Sequence, residues 1–217
     1  MRKTSGTPGR SEVMKMRKAL IVVDVQNDFY ETGSLPVSGA SQINEAINRA
    51  MRDSVYKAIV AGQDWHPSNH MSFAVNHGKE PFTPFDNEKG IGPVLWPVHC
   101  QQGTHGAAFH TNIETNRFDY IIRKGTHPHV DSYSIFREND GTELGTDGLL
   151  RALGIEELDI CGLALDYCLK YTVHDALLAG FKINVIINGT KGVEANIGDV
   201  QRTIEEFRRA GVELIER

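Results

Sequence analysis

The sequence has few cysteines, no long apolar run and no excess of basic residues, and each absence excludes a class of protein. Three cysteines among 217 residues are too few for a disulfide-stapled secreted scaffold, so we expect a reducing, cytoplasmic setting. No run approaches the roughly 18 consecutive apolar residues that a membrane-spanning helix needs. The net charge of −5 argues against a nucleic-acid partner or an anionic membrane surface.

The remaining composition is that of an ordinary globular domain, with 40% hydrophobic and 24% charged residues. Residues 1–18 differ from the rest, because six basic side chains and one acid give them a charge of +5 and leave −10 for residues 19–217. They contain no apolar stretch of the kind that a secretory signal requires. We expect residues 1–18 to be a flexible basic extension and residues 19–217 to form a single domain.

From residue 19 onward, apolar strands alternate with amphipathic helices. The predicted strands are 19–25, 57–62, 119–124, 158–164, 182–188 and 212–216, and the predicted helices are 40–52, 142–153, 166–179 and 197–210. This alternation predicts an α/β fold, a three-layer αβα sandwich with a mostly parallel sheet of about six strands. Residues 65–117 are irregular and too long for a structureless connection, so we expect a functional insert.

Four of the predicted strands lead directly to a charged or reactive side chain. These side chains are Asp24 in DVQNDF, Asp64 in QDWH, Lys124 in RKGT and Cys168 in GLALDYC. Each alone is commonly a turn, surface or core residue, but parallel sheets bind ligands beyond the carboxyl ends of their strands. Cys168 also falls in the first turn of a helix, where the helix dipole and Lys124 would lower the pKa of its thiol. Asp24 could accept the thiol proton.

The histidines supply a second candidate centre. Asp64, His66 and His70 form the pattern D-x-H-x-x-x-H, and His99 in WPVHC is the best-placed fourth ligand. One carboxylate and three imidazoles suit Zn²⁺, Mn²⁺ or Fe²⁺. The six other histidines have no defensible ligand spacing. Cys161 is expected in the core, whereas Cys100 could be buried or could be a further ligand.

These residues, in this order, resemble the nicotinamidases of the isochorismatase-like cysteine hydrolase superfamily. The matching segments cover residues 20–181 and are LIVVDVQNDF, QDWHPSNHMSF, LWPVHCQQGTHGAAFH, RKGTHPHVDSYSIF and GLALDYCLKYTVHDALLAGF. DVQNDF and the block around Cys168 are common to the superfamily, whereas the histidine blocks are more particular to nicotinamidases.

The resemblance implies that Cys168 is the nucleophile, Asp24 the general acid/base and Lys124 its ionic partner. It also implies a cis peptide before Ala164, with the Ala164 and Cys168 amides forming an oxyanion hole. The remaining implied roles are a ring pocket of Phe29, Trp96, Tyr133 and Ala164, and a divalent metal on Asp64, His66, His70 and His99, for which we expect Zn²⁺, with Mn²⁺ or Fe²⁺ as alternatives.

The implied activity is hydrolysis of nicotinamide to nicotinate and ammonia through a cysteine thioester, with the metal orienting the pyridine ring, in NAD salvage. Pyrazinamide and related ring amides should fit the same pocket, and assembly into a homo-oligomer is left open. Three alternatives remain. They are another amide or isochorismatase-type hydrolase of this fold, a hydrolase that uses metal-bound hydroxide, and a non-enzymatic metal-binding or partner-binding domain.

Overall fold

The computed structural model of the protein describes residues 17–87 and 90–217. Most of the predicted basic extension, residues 1–16, lies outside the described residues. Arg17 and Lys18 belong to the folded domain, because Lys18 is the first residue of a strand and its ammonium lies 2.8 Å from the buried carboxylate of Asp159.

Six strands form one sheet in which every pairing is parallel. They are β1 (Lys18–Val23), β2 (Ala58–Asp64), β3 (Tyr120–Lys124), β4 (Glu157–Leu163), β5 (Lys182–Lys191) and β6 (Glu213–Ile215). Their order across the sheet is β3-β2-β1-β4-β5-β6. The central strand β1 is buried on both faces, as its apolar run ALIVV requires.

In the part of the chain that the structure describes, four α-helices connect the strands. They are α1 (Asn44–Met51), α2 (Thr146–Ala152), α3 (Cys168–Leu178) and α4 (Asp199–Arg209). The connection from β1 to β2 and the connection from β4 to β5 run in opposite directions across the sheet, so right-handed crossovers place α1 and α3 on opposite faces. The predicted α/β class, parallel sheet and strand number are confirmed. Helix α2 begins four residues later than expected, and β5 extends three residues further.

The predicted insert stays outside the sheet. In the described part of residues 65–117 the only regular elements are short 3₁₀ turns, at Ala74–His77 and Thr115–Arg117, and isolated bridges to other segments. Among the described residues, no helix has the length and apolar character that crossing a membrane demands.

The strand order decides where the reactive side chains meet. Strands β1 to β3 are added in one direction across the sheet and strands β4 to β6 in the opposite direction. This change of direction between β1 and β4 leaves a crevice at the carboxyl edge. The four neighbouring strands β3, β2, β1 and β4 end at or just before Lys124, Asp64, Asp24 and the segment that leads into Cys168. The sheet therefore presents these four residues side by side at one edge.

Candidate active site

Lys124 is the centre of the first cluster, and its ammonium faces more acceptors than it has hydrogens. It lies 2.9 Å from Asp24 Oδ2 and 3.4 Å from Cys168 Sγ, and it pairs with Asp64 Oδ1. Its remaining contact is the carbonyl of Ser132, at 3.1 Å. Lys124 and Asp24 are fully buried, and Asp64 and Cys168 are nearly so. A buried cation thus joins two carboxylates and a thiol.

Burial and pairing set the ionisation of this cluster. Burial raises the pKa of Asp24 to about 6, although the Lys124 ammonium works in the opposite direction. Burial also opposes the charge of Lys124, but Asp24 and Asp64 outweigh it and hold the pKa of the ammonium well above its usual value. At neutral pH the pair is therefore a carboxylate and an ammonium held out of water.

The lowered thiol pKa expected from the sequence is wrong for the free protein. Cys168 is the first residue of α3, as predicted, and Lys124 favours its thiolate. Burial is the larger effect, however, and it raises the pKa of the Cys168 thiol well above its usual value. The resting group is a thiol, so a base must remove its proton. Asp24 is the carboxylate that contacts it.

Two backbone amides lie beside Cys168. The Leu163–Ala164 peptide is cis, as the resemblance implied. Among the backbone hydrogen bonds that the described residues form outside regular elements, none has the Ala164 or Cys168 N–H as its donor. Ala164 and Cys168 also line the same cavity, so both N–H groups are candidates to bind an oxygen atom there.

Three of the four predicted metal ligands converge. His66 Nε2 lies 3.6 Å and His99 Nε2 3.9 Å from Asp64 Oδ2, and all three side chains are buried. The other ring nitrogens are oriented by carbonyl oxygens, since His66 Nδ1 lies 2.9 Å from Gly125 O and His99 Nδ1 lies 2.8 Å from Pro97 O. A carbonyl only accepts, so each neutral ring carries its hydrogen on Nδ1 and directs the Nε2 lone pair toward the carboxylate.

Such a group fits a divalent cation. Two imidazole lone pairs and a carboxylate oxygen facing one another in a buried space repel unless a positive charge lies between them, and carbonyl-bonded Nδ1 atoms are typical of metal-binding histidines. Without a metal, the compensating charge is a proton. Burial lowers the pKa of His66, but Asp64 outweighs burial and the pKa is raised.

His70, the predicted fourth ligand, is not brought into this group. Its Nε2 lies 3.0 Å from Val130 O and therefore carries the hydrogen, and its Nδ1 accepts from the Ser72 hydroxyl at 2.7 Å. Both ring nitrogens are thus occupied, although the ring packs against that of His66 in a tilted arrangement, with centroids 4.2 Å apart. The structure places His70 as support for the segment around Val130, beside the group and not in it.

One cavity is lined by residues of both clusters. Its lining includes the predicted pocket residues Phe29, Trp96, Tyr133 and Ala164, together with Asp64, His66, His99 and Cys168. Trp96 Nε1 donates to the Tyr133 hydroxyl at 3.1 Å, and that hydroxyl donates to Gly92 O at 2.7 Å. These bonds fix the two aromatic side chains.

Sequence reasoning missed several residues of the lining, of which Asp131, Ser132 and Tyr167 carry polar groups. Asp131 is buried, and burial raises the pKa of its carboxyl to about 6, with His66 acting in the opposite direction. Its spacing from Lys124 matches no ligand pattern, so no signal in the sequence singled it out. Tyr167 precedes Cys168 and packs edge-on against Trp96, with ring centroids 5.2 Å apart.

The other cysteines and histidines take the places expected of them. Cys161 is buried in β4, and Cys100 is buried beside His99, where its backbone N–H donates to Asp28 Oδ2 at 2.7 Å. Within residues 17–87 and 90–217, neither thiol belongs to a group of side chains that could hold a metal. The same holds for the six remaining histidines.

Fold and site together define a class of protein. Residues 18–217 match the family model of the isochorismatase domain, and the chain belongs to the isochorismatase family. The resemblance to nicotinamidases is confirmed. The nicotinamidase of Acinetobacter baylyi is 45% identical over 200 residues, 91% of each chain. The nicotinamidase of Escherichia coli is 41% identical over 200 residues, 91% of this chain and 93% of the relative.

Solved structures agree with this. The nicotinamidase/pyrazinamidase of Acinetobacter baumannii superposes with a TM-score of 0.87 at 42% identity, covering 93% of this chain and 96% of that chain. A protein of L. infantum in complex with nicotinate gives 0.81 at 35% identity, covering 93% of both chains. The pyrazinamidase of Pyrococcus horikoshii in complex with zinc gives 0.76 at 34% identity, covering 93% and 99%.

Proposed function

We propose that the protein is an amidohydrolase that converts nicotinamide to nicotinate and ammonia through a thioester on Cys168. The observation that carries this proposal is the buried contact of Lys124 with Asp24 and Cys168. Cys168 also lines a cavity together with the three converging metal-ligand side chains. Relatives named as nicotinamidases, with identities above 40%, support the choice of amide. The product would feed the rebuilding of NAD.

The first chemical step follows from the ionisation of the cluster. Asp24 takes the proton of the Cys168 thiol as sulfur bonds to the carboxamide carbon, and Lys124 stays charged beside both groups. A pKa of about 6 makes Asp24 a stronger base than an ordinary carboxylate, and a carboxyl with that pKa both accepts and returns a proton near neutrality. The Ala164 and Cys168 amides would bind the oxygen that becomes negative.

Breakdown uses the same proton. Asp24 returns it to the amide nitrogen as the carbon–nitrogen bond breaks, and ammonia leaves. A water molecule then gives one proton to Asp24 while it attacks the thioester, and this proton restores the Cys168 thiol as nicotinic acid departs. The acid ionises to nicotinate, and its proton passes to the released ammonia in solution. Lys124 keeps its proton in both halves of the reaction. Its role is to stabilise negative charge on its neighbours and not to transfer a proton.

The aromatic lining and the ligand group position the ring. Phe29, Trp96 and Tyr133 offer apolar faces for a flat heterocycle. Asp64, His66 and His99 would hold a divalent cation, for which zinc is our proposal, with Mn²⁺ or Fe²⁺ as alternatives. When bound, it would attract the lone pair of the ring nitrogen and so fix the position of the carboxamide. Pyrazinamide, which has a nitrogen at the same ring position, should bind similarly.

Ammonia release from nicotinamide tests the proposal. The purified protein, supplied with zinc, should release ammonia and nicotinate in equal amounts. Chelated protein should be slower, and adding zinc back should restore the rate. If metal-supplied protein releases no ammonia from nicotinamide but hydrolyses another amide or an isochorismate-type substrate, the substrate assignment is wrong.

A further inference from the structure

Asp131 is the one buried acid of the cavity lining that the proposed reaction does not use. It is 2% exposed, and its Oδ1 accepts the backbone N–H of Ser132 at 2.9 Å. Its Oδ2 is buried too and has no hydrogen-bond partner within the described residues. A buried carboxylate oxygen without a partner is costly, and one that lines a binding cavity points to a ligand or water that satisfies it.

The backbone holds Asp131 in place from both sides. The carbonyl of Val130, the preceding residue, accepts from His70 Nε2 at 3.0 Å. The carbonyl of Ser132, the following residue, accepts from Lys124 Nζ at 3.1 Å. Asp131 therefore lies between two backbone carbonyls, one bonded to His70 and the other to Lys124. These two bonds fix its position in the site.

The electrostatics favour a role at the metal side of the cavity. Of the charged groups around Asp131, His66 has the strongest interaction with it, and that interaction favours the carboxylate. Asp131 does not, however, belong to the group formed by Asp64, His66 and His99, whose ligand atoms lie within 4.8 Å of one another. It lines the same cavity as that group without being one of its candidate ligands.

The charge of Asp64 is already shared, which leaves a role for a second carboxylate at a cation. Asp64 faces the imidazoles and pairs with Lys124, so its charge does not serve a metal alone. Asp131 lines the same cavity with an unpartnered carboxylate oxygen and supplies a further negative charge there.

We propose that Asp131 is an outer-sphere carboxylate of the metal site, whose Oδ2 accepts a hydrogen bond from water coordinated to the divalent cation. This rests on the metal part of the proposed function. It also gives His70 a role, as a positioning residue that orients the Val130–Asp131 segment instead of ligating the metal. Removing the Asp131 charge should weaken metal binding about 10- to 100-fold, the usual effect of losing a partner of this kind.

The test measures zinc affinity directly, by competition with a chromophoric chelator at pH 7.5. Asp131→Asn keeps the acceptor for the Ser132 N–H and loses the charge, and Asp131→Glu retains the charge. Glu138→Gln is the matched control, since Glu138 is a buried acid of the same segment that bonds to the Gly125 N–H and is absent from the cavity lining. We expect weaker zinc binding for Asp131→Asn, less than threefold change for Glu138→Gln and partial recovery for Asp131→Glu.

Each result that contradicts our expectation has its own interpretation. Zinc binding by Asp131→Asn within threefold of wild type would overturn the proposal, and so would an equal loss in Glu138→Gln. A raised KM for nicotinamide with unchanged zinc affinity would instead make Asp131 a substrate contact. Zinc affinity is measured without substrate, so a protein that binds zinc through Asp131 and hydrolyses no nicotinamide would refute the proposed function alone.

Discussion

Replacing Lys124 by methionine tests whether its buried ammonium holds the two carboxylates of the site together. Methionine fills a similar volume but leaves Asp24 and Asp64 as buried anions without their shared cation. Breaking a buried pair by removing one partner costs roughly 3–5 kcal/mol. For a domain of this size, each kcal/mol shifts Tm by about 2–4 °C, so we expect Tm to fall by about 6–20 °C at pH 7.5.

The loss of Tm in Lys124→Met should depend on pH. Loss of Lys124 removes the group that lowers the pKa of Asp24, so the pKa of Asp24 rises further above 6. At pH 5 Asp24 is then protonated and one of the two unpaired charges disappears, so the difference in Tm between Lys124→Met and wild type should shrink.

Thermal unfolding of metal-free protein, followed by circular dichroism at both pH values, measures these shifts. Lys124→Met/Asp24→Asn is the matched control, because it removes one of the stranded anions and should recover part of the lost Tm while remaining inactive. A Tm within 2 °C of wild type for Lys124→Met at pH 7.5, or a larger deficit at pH 5, would refute the reasoning.

Three further predictions concern the base and the ligands. Since Asp24 must be a carboxylate to accept the thiol proton, kcat/KM for nicotinamide should rise with pH through about 6 and then level off; a profile flat from pH 5 to 8 would exclude this role. His99→Ala should abolish stoichiometric zinc binding, whereas His70→Ala should weaken it without abolishing it, as measured by metal analysis after dialysis. Equal loss of zinc from the two variants would indicate that His70 is a ligand. Gly125→Ala should also lose zinc, because a Cβ there would overlap the His66 ring and the backbone has a left-handed φ of +62°; full zinc content would contradict this.

The sequence was sufficient for the catalytic cluster because a parallel sheet imposes a simple rule. Asp24, Asp64 and Lys124 lie at or just after the ends of neighbouring strands. In an all-parallel sheet, the carboxyl ends of all strands lie at the same edge, whatever the strand order. The same rule placed Cys168 after β4. Periodicity and turn residues therefore predicted both the fold and the position of the cluster.

The metal side was less predictable, because it depends on irregular backbone. Whether His70 ligates is decided by the carbonyl of Val130, sixty residues away, which binds its Nε2. The position of Asp131 depends on the same contact. The ionisation of Cys168 also could not be read from the sequence, since the depth of burial, which outweighs Lys124, is a property of the folded chain.

The central claim is that Cys168 forms a covalent bond with the substrate carbonyl. It is tested most directly by the rate of ammonia release from nicotinamide by zinc-loaded Cys168→Ala, with zinc content and Tm confirmed against wild type. Our account predicts that ammonia release falls to the background level while zinc remains bound. Near-normal ammonia release by that variant would contradict it and would favour a hydrolysis in which Cys168 takes no part.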